Sequence, residues 1–273
     1  MDNRPIGVFD SGVGGLTALK ALKSIMPFEN VIYLADTANM PYGNKSREEI
    51  VEFINKDLNF LKSKNVKAVL AACGTASSYM NLIQSSSESI IGVIKPACRA
   101  ALKMTENNKI GILGTSATIK SHSYRKELYK LNNDIDCYQK ACPQLASLIE
   151  NGNVDFENRK LKDTLEEYIT PLLEKNVDTI ILGCTHYSVV SGVIKGIFGE
   201  NINLIDSGKE AAVSLSKFLK NKNLNTDSNE LGYQEFYVSS KRTEFLSVAK
   251  IFLGNDISSN VSCVNLTEEE IKN

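Results

Sequence analysis

The sequence has no apolar run of membrane-spanning length and no surplus of either charge. Its N-terminus, MDNRPIGVFD, lacks the apolar core of a signal peptide, and no stretch approaches the ~20 apolar residues of a transmembrane helix. The 31 Lys and Arg residues nearly balance the 32 Asp and Glu residues, which leaves a formal net charge of -1. A chain without a basic surplus is not expected to bind nucleic acid or a membrane surface. These absences predict a cytoplasmic protein.

Cysteine and histidine are scarce, and tryptophan is absent. Six cysteines among 273 residues are too few for a disulfide scaffold. The chain has no C-x-x-C pair, so a structural zinc site is not indicated. We therefore expect neither a disulfide framework nor a bound metal ion. The 42% of hydrophobic residues predicts an ordinary globular core.

Short apolar runs alternate with amphipathic segments along the chain. One such segment, REEIVEFINKDLNFLKSK at 47–64, carries apolar residues at helical spacing. Alternation of this kind favours an α/β fold in which helices cover both faces of a largely parallel sheet. Ligands of such folds bind beyond the carboxyl ends of the strands. The predicted strands are 6–10, 31–36, 66–73, 90–94, 109–115, 135–141, 177–184, 201–206 and 234–239.

Two internal repeats indicate two units of one design. NVKAVLAACGT at 65–75 resembles NVDTIILGCTH at 176–186, and PIGVFDSGVGGLT at 5–17 resembles KIGILGTSATIKS at 109–121. The two repeats have similar offsets. We therefore predict two pseudo-symmetric, doubly wound α/β domains with mostly parallel sheets and an active site in the cleft between them. The predicted domains are residues 1–97 together with 208–273, and residues 98–207.

Cys73 and Cys184 stand at repeated positions, each at the end of a buried strand, so that pseudo-symmetry would turn both toward one cleft. Three interpretations are open. Each cysteine could be a small buried hydrophobic residue. The two could join His186 as metal ligands, although Cys-x-His matches zinc spacings poorly. The third interpretation is proton transfer on both faces of one carbon atom.

In this third interpretation, one thiolate removes a proton from a stereocentre while the opposite thiol supplies another. A free thiol titrates near pH ~8.5, within tuning range of neutrality. Asp10, which ends the first strand, and His186, two residues beyond Cys184, are candidates to set the ionisation of the thiols. Such chemistry inverts the carbon and requires no cofactor.

A glycine-rich turn, DSGVGG at 10–15, connects the first strand to a helix. Its backbone N–H groups and the helix N-terminus favour an anion. The glycine spacing matches neither a dinucleotide-binding turn nor a P-loop. We therefore expect a substrate carboxylate here, with close helix–strand packing as the alternative. A second turn, MPYGNKS at 40–46, would place Tyr42 and Gly43 near the same strand ends.

Five motifs resemble those of the aspartate/glutamate racemase family in order and spacing: GVFDSGVGGLT, ADTANMPYGNKS, CGTASS, GTSATIKS and LGCTHY. The resemblance covers nearly the whole chain. It implies a cofactor-independent isomerase with its active site between two α/β domains. It also implies interconversion of L- and D-glutamate, which supplies D-glutamate for peptidoglycan synthesis, cell-wall biogenesis and cell shape. A homodimer and a monomer are both open.

The resemblance also implies roles for individual residues. Cys73 would be the base toward D-glutamate and Cys184 the base toward L-glutamate, each acting as the acid in the other direction. Asp10 would assist Cys73, and His186, oriented by Glu150, would assist Cys184. The implied substrate contacts are Asp10, Ser11, Asp36, Tyr42, Gly43, Gly74, Thr75, Thr115, Thr118, Thr185 and His186.

The chain departs from the family pattern at several positions. Gly74 stands where asparagine is usual, and losing that side chain's hold on the substrate amino group would cost ~1–3 kcal/mol. Ala35, Asn39 and Lys95 stand where glycine, arginine and glutamate are common. These changes leave aspartate or another small amino acid open as the substrate.

Two further alternatives come from other classes of protein. A hydrolase with a cysteine nucleophile could use Cys184 and His186 and would need only one of the two thiols. A carboxylate-binding protein would need neither thiol. Of the three classes, only a racemase exchanges the Cα proton of its amino acid with solvent, so this exchange separates them.

Overall fold

The computed structural model describes residues 1–83, 89–254 and 257–266. The strands are β1 Ile6–Asp10, β2 Val31–Ala35, β3 Ala68–Ala71, β4 Ile90–Gly92, β5 Lys109–Gly114, β6 Asp136–Ala141, β7 Thr179–Leu182, β8 Asn203–Asp206, β9 Gln234–Val238 and β10 Val261–Cys263. The helices are α1 Leu16–Ile25, α2 Arg47–Ser63, α3 Gly74–Tyr79, α4 Ile94–Met104, α5 Ser116–Ser121, α6 Ser123–Leu131, α7 Leu145–Glu150, α8 Arg159–Leu173, α9 Ser191–Phe198, α10 Ser207–Asn221 and α11 Arg242–Leu253. Short 3-10 turns lie at Tyr42–Asn44, Met80–Leu82, Thr185–Val190 and Ser258–Asn260.

The described strands form two sheets. The first has six strands in the order β10-β9-β2-β1-β3-β4, and the second has four in the order β6-β5-β7-β8. Every pairing in these sheets is parallel. The order β2-β1-β3-β4 in the first sheet repeats as β6-β5-β7-β8 in the second. The predicted α/β class with parallel sheets is therefore confirmed, and the two internal repeats correspond to equivalent strands.

The sheets contain every predicted strand and one that the sequence pattern did not reveal. The unpredicted strand, β10, pairs with β9, and β9 pairs with β2, so both belong to the first sheet. Three residues, Val261–Cys263, are too short a run to show period-2 alternation, and only the first of them is buried. The position of β10 is set by its partner strand rather than by its own sequence.

Helix α2 shows how the local sequence sets an element beside the first sheet. The side chain of Ser46 accepts the N–H of Glu49, whose carboxylate accepts the N–H of Ser46 in return, which makes a capping box at the helix start. Its apolar face is buried, as the helical spacing predicts. One charged residue, Asp57, lies on that buried face and is fully inaccessible to solvent.

The remaining helices cover the sheets and connect them. Strands β1, β3, β5 and β7 are almost entirely buried, as expected for parallel strands covered on both faces. Helix α10, which follows the last strand of the second sheet, packs against α1 beside the first sheet. Throughout the described ranges, every helix is too short or too polar to cross a bilayer.

Candidate active site

Cys73 lies between β3 and α3, with only 5% of its surface exposed. Its thiol donates to Ser11 Oγ at 3.7 Å, and its sulfur accepts the backbone N–H of Ala76 at 3.5 Å. Burial, followed by the negative charge of Asp10, raises the pKa of Cys73 far above that of a free thiol. In this state Cys73 is therefore a neutral thiol that can give up a proton.

Asp10 ends β1 and is held by the glycine-rich turn that follows it. Its Oδ2 atom accepts the backbone N–H groups of Gly12 at 3.2 Å and of Gly15 at 3.0 Å. Two amides of the turn thus bind the protein's own carboxylate, and a substrate carboxylate at the remaining amides stays a prediction. Close packing explains the glycines better, because a Cβ on Gly14 would overlap the ring of His186.

Cys184 follows β7 and lies beside His186. The sulfur is 3.5 Å from His186 Nδ1, and His186 Nε2 is 2.7 Å from Glu150 Oε1 at the end of α7. Burial by itself would lower the pKa of His186, but the Cys184 sulfur and the Glu150 carboxylate outweigh it and raise that pKa well above its usual value. The raised pKa favours the imidazolium form of His186, whose two N–H groups can donate to both neighbours.

Three threonine hydroxyls from both sheets converge beside the cysteines. Thr75 Oγ1, from α3, lies 3.0 Å from Thr115 Oγ1 and 3.4 Å from Thr118 Oγ1. The last two oxygens are themselves 3.0 Å apart. Thr115 also caps α5 by accepting the N–H of Thr118. The cluster therefore joins the carboxyl end of β3 to that of β5.

The parts of the chain that carry the two sheets meet backbone to backbone at Gly74 and Gly183. A Cβ on Gly74 would overlap the carbonyl oxygen of Gly183 and would lie 3.8 Å from the Cα atom of Cys184. An asparagine at position 74 would not fit unless these strand ends moved apart. The two cysteines are thus brought to one place because the residue after Cys73 meets the residue before Cys184.

A second contact between the halves involves Thr185, beside Cys184. The Thr17 hydroxyl donates to the backbone oxygen of Thr185 at 3.1 Å. Gly43 approaches the second sheet in the same way, since a Cβ there would lie 3.0 Å from Thr115 Cβ. The predicted residues at the carboxyl ends of β1, β3, β5 and β7 therefore lie together where the two sheets meet.

Asp36 and Tyr42 bind each other near the same strand ends. Asp36 is 1% exposed and accepts the Tyr42 hydroxyl at 2.7 Å, the Asn39 amide at 2.9 Å and the Ser239 hydroxyl at 2.7 Å. Both carboxylate oxygens of Asp36 thus already accept hydrogen bonds within the protein, and the Tyr42 hydroxyl is engaged by Asp36. These two residues fix the turn that carries Gly43.

Three residues of the site were not identified from the sequence. Ser239 reaches Asp36 from the end of β9, and the Phe252 ring of α11 meets the His186 ring edge-on, with centroids 5.6 Å apart. Nothing in the local sequence marks either residue. Asp57 did carry a signal, because a charged residue on the apolar face of a predicted helix needs a partner.

Metal coordination by Cys73, Cys184 and His186 was the second interpretation of the two thiols. Among the described residues, His, Cys, Asp and Glu side chains nowhere form a group of three that could hold a metal ion. The nearest partner of His186 apart from Cys184 is the Glu150 carboxylate, and it uses the second ring nitrogen. Both nitrogens of that ring are therefore engaged within the protein.

Comparison with known proteins gives matches over most of the chain. The family model described as Asp/Glu/Hydantoin racemase matches residues 17–215. The glutamate racemase of Persephonella marina is 43% identical over 254 residues, which are 92% of this chain and 94% of that relative. The glutamate racemase of Lactococcus lactis subsp. lactis is 36% identical over an alignment of 275 positions, which covers 100% of this chain and 98% of that relative.

Solved structures show the same similarity. A crystal structure of a glutamate racemase isoform from Bacillus anthracis has a TM-score of 0.91 at 36% identity, covering 97% of this chain and 99% of that chain. The glutamate racemase of Francisella tularensis, solved in complex with D-glutamate, has a TM-score of 0.88 at 36% identity, with the same coverage.

Proposed function

Because this chain belongs to the Asp/Glu/Hydantoin racemase family, we propose that it interconverts L- and D-glutamate by proton transfer between two thiols, Cys73 and Cys184. The observation that carries the proposal is that the two cysteines lie at strand ends that touch, Cys73 beside Ser11 and Cys184 beside His186. The neutral Cys73 thiol can donate a proton, while Cys184 faces an imidazolium. The glutamate racemases among the relatives, one of them holding D-glutamate, support the choice of substrate.

The reaction balances without a cofactor. The Cys184 thiolate takes the Cα proton of one enantiomer, so that the C–H bond breaks and an S–H bond forms. The Cys73 thiol gives its proton to the opposite face of the same carbon, and the configuration inverts. The product then leaves Cys184 as a thiol and Cys73 as a thiolate, which is the form that acts on the other enantiomer.

Each thiol has groups that suit its task. The Ala76 amide and the Ser11 hydroxyl stabilise the Cys73 thiolate once it forms. Asp10 assists by its charge, which raises the pKa of Cys73 and therefore makes its thiolate a stronger base. On the other side, Glu150 keeps His186 protonated and oriented toward Cys184.

The substrate-binding groups follow from the same geometry. We assign the substrate carboxylates to the hydroxyls of Ser11 and of the threonine cluster (Thr75, Thr115 and Thr118), together with the Gly43 and Thr185 backbone. The amino group is assigned to the Asp10 carboxylate, because Gly74 has no side chain to hold it. Asp36 and Tyr42 act by fixing the turn that carries Gly43.

Substrate entry requires the two halves to separate. Cys73 and Cys184 are 5% and 7% exposed, so glutamate cannot reach both sulfurs while Gly74 and Gly183 are in contact. Closure around the substrate excludes water from the carbanion-like intermediate. The closed arrangement therefore corresponds to the reactive state.

The proposed function extends to the division into domains, the use of the product and the partners of the protein. The division into domains, 1–97 with 208–273 and 98–207, is supported by β9 and β10, which belong to the first sheet, and by the packing of α10 on α1. D-glutamate formed in the cytoplasm would enter peptidoglycan synthesis. The small-molecule substrate needs no nucleic-acid or membrane partner.

A racemisation assay with glutamate and aspartate side by side tests the function. We expect interconversion of the glutamate enantiomers and little or none for aspartate. Cys73→Ser and Cys184→Ser should each abolish racemisation, whereas Cys263→Ser, at an exposed cysteine outside the site, should leave it unchanged. Retention of racemisation by Cys73→Ser would contradict the two-thiol mechanism, absence of racemisation in the wild-type protein would favour the hydrolase or the carboxylate-binding protein, and preference for aspartate would correct the substrate.

A further inference from the structure

Asp57 is a fully buried carboxyl group that the proposed reaction does not use. Its Oδ2 atom lies 3.0 Å from the Tyr42 hydroxyl oxygen, and its Oδ1 atom has no hydrogen-bond partner among the described residues. The same Tyr42 hydroxyl lies 2.7 Å from Asp36 Oδ2. One phenol group therefore stands between two carboxyl groups.

The hydrogen atoms of this cluster decide which carboxyl is charged. The Tyr42 hydroxyl has a single proton and can donate it to one carboxyl only. Asp36 accepts two further donors, from Asn39 and Ser239, as an ionised carboxylate does. Within the described ranges, Asp57 accepts no other donor and takes part in no ion pair. A buried carboxylate without donors is costly.

We propose that Asp57 is a positioning residue that stays protonated in the folded protein and donates its proton to the Tyr42 hydroxyl oxygen, which in turn donates to Asp36. The chain of donation then gives every hydroxyl a partner and leaves a single negative charge in the cluster. The unpaired Oδ1 atom is the carbonyl oxygen of a neutral acid, for which burial costs less than for a charged oxygen.

The environment of Asp57 agrees with this assignment. Burial, and then the negative charge of Asp36, raises the pKa of Asp57 well above that of an ordinary carboxyl. The titratable groups that face it are Asp36 after β2, Tyr42 in the 42–44 turn and Asp10 at the end of β1. Two of these three groups are acidic and none is a cation, so the surroundings favour the uncharged form.

The network has a consequence for the substrate side of the cleft, and this part rests on the proposed racemase function. Tyr42 precedes Gly43, whose backbone meets Thr115 of the second sheet. A proton on Asp57 therefore fixes the turn and also limits the negative charge beside Asp10. Glutamate carries two carboxylates, so a second charge in the cluster would repel it.

The pH dependence of stability follows from the protonation of Asp57. A carboxyl whose folded pKa is raised contributes its full stability below its unfolded pKa of ~3.9, and this contribution is lost as pH rises toward the folded value. An asparagine at this position is permanently neutral and keeps an N–H donor for Tyr42. The Asp57→Asn variant therefore does not lose this stability as the pH rises.

The experiment compares Asp57→Asn and Asp57→Leu with the wild-type chain and with Asp163→Asn, which removes an exposed carboxylate from α8. We expect Asp57→Asn to become more stable relative to wild type as the pH rises. The difference between their melting temperatures should increase by roughly 2–4 °C per pH unit between about pH 5 and about pH 8. Asp163→Asn should show no such growth. Infrared spectra of wild type near pH 7 should contain a protonated-carboxyl C=O band that is lost in Asp57→Asn.

Kinetics test the positioning role. Asp57→Asn should keep KM for D-glutamate within about 2-fold, whereas Asp57→Leu, which lacks a donor, should raise KM about 5-fold with less change in kcat. A temperature difference that is constant with pH, a wild-type spectrum without the protonated band, or equal KM values for both variants would each overturn the inference.

The inference can still be tested if Asp57→Asn does not fold or if the wild-type protein does not racemise glutamate. If Asp57→Asn does not fold, Tyr42→Phe is measured in its place. Loss of the phenol oxygen must shift the infrared band of Asp57 if Asp57 donates its proton to that oxygen. An unshifted band would overturn the inference. The infrared and melting measurements need no activity, so they stand even if wild type fails to racemise glutamate. That failure would contradict the proposed function and not the state of Asp57.

Discussion

Gly74 and Gly183 are in backbone contact, so close that a Cβ on Gly74 would overlap the Gly183 carbonyl oxygen. Each glycine is the chain neighbour of a proposed catalytic cysteine. The contact therefore controls how near the two thiols come to a substrate held between them.

Gly74→Ala should impair the closed state. Inserting a methyl group against a fixed backbone oxygen costs about 1–3 kcal/mol, and we expect kcat/KM for glutamate to fall roughly 5- to 150-fold. Steady-state kinetics in both directions measure the effect. Gly192→Ala is the matched control, because a Cβ on Gly192 meets nothing within 4 Å. Wild-type kcat/KM in Gly74→Ala would show that the contact does not limit the reaction.

Glu150→Gln should weaken the imidazolium beside Cys184. Loss of a charge-assisted hydrogen bond costs about 1.5–3 kcal/mol, or roughly 10- to 150-fold in kcat/KM. Because the two enantiomers have equal free energy, kcat/KM must fall by the same factor in both directions. Glu157→Gln, at an exposed position in the loop after α7, should change neither direction.

The same variant should change the pH profile. Glu150 raises the pKa of His186, so its replacement lowers that pKa and the imidazolium is lost at lower pH. We expect a bell-shaped profile of kcat/KM in wild type, whose alkaline limb moves to lower pH in Glu150→Gln. A limb that stays in place would mean that Glu150 does not control the ionisation of His186.

Thr118→Val should weaken substrate binding with little effect on the chemical step. The substitution keeps the shape of the side chain but removes one hydroxyl of the threonine cluster, at a cost of about 0.5–1.5 kcal/mol. KM for glutamate should therefore rise roughly 2- to 12-fold, with kcat nearly unchanged. Thr164→Val is the control, because the Thr164 hydroxyl donates to the Lys160 carbonyl oxygen of its own helix, α8. Equal KM values for Thr118→Val and Thr164→Val would show that the hydroxyl of Thr118 does not bind the substrate.

Much of the architecture was predictable because it follows from local patterns and their repetition. Apolar runs located nine strands, and the repeated segments placed Cys73 and Cys184 at equivalent strand ends. The racemase family predicted from five motifs is confirmed by a match over residues 17–215. Parallel strands bring distant residues to one edge, which is why motif positions translate into a site.

Other features depend on contacts between segments far apart in the chain. Phe252 reaches His186 from α11, and Ser239 reaches Asp36 from β9. No local pattern encodes such pairs. The glycine-rich turn shows a second limit: its amides were expected to bind a substrate anion, but two of them bind Asp10. The residues of a turn show which backbone groups can donate hydrogen bonds, but not which acceptor the folded protein places beside them.

The most direct test of the two-thiol account is solvent deuterium incorporation at Cα. L-glutamate is converted by the wild-type protein in deuterium oxide, and both enantiomers are recovered early in the reaction. The account predicts deuterium at Cα of the D-glutamate formed and none in the remaining L-glutamate, because separate groups remove and supply the proton. D-glutamate that keeps the original proton, or no conversion with no deuterium in either enantiomer, would contradict it.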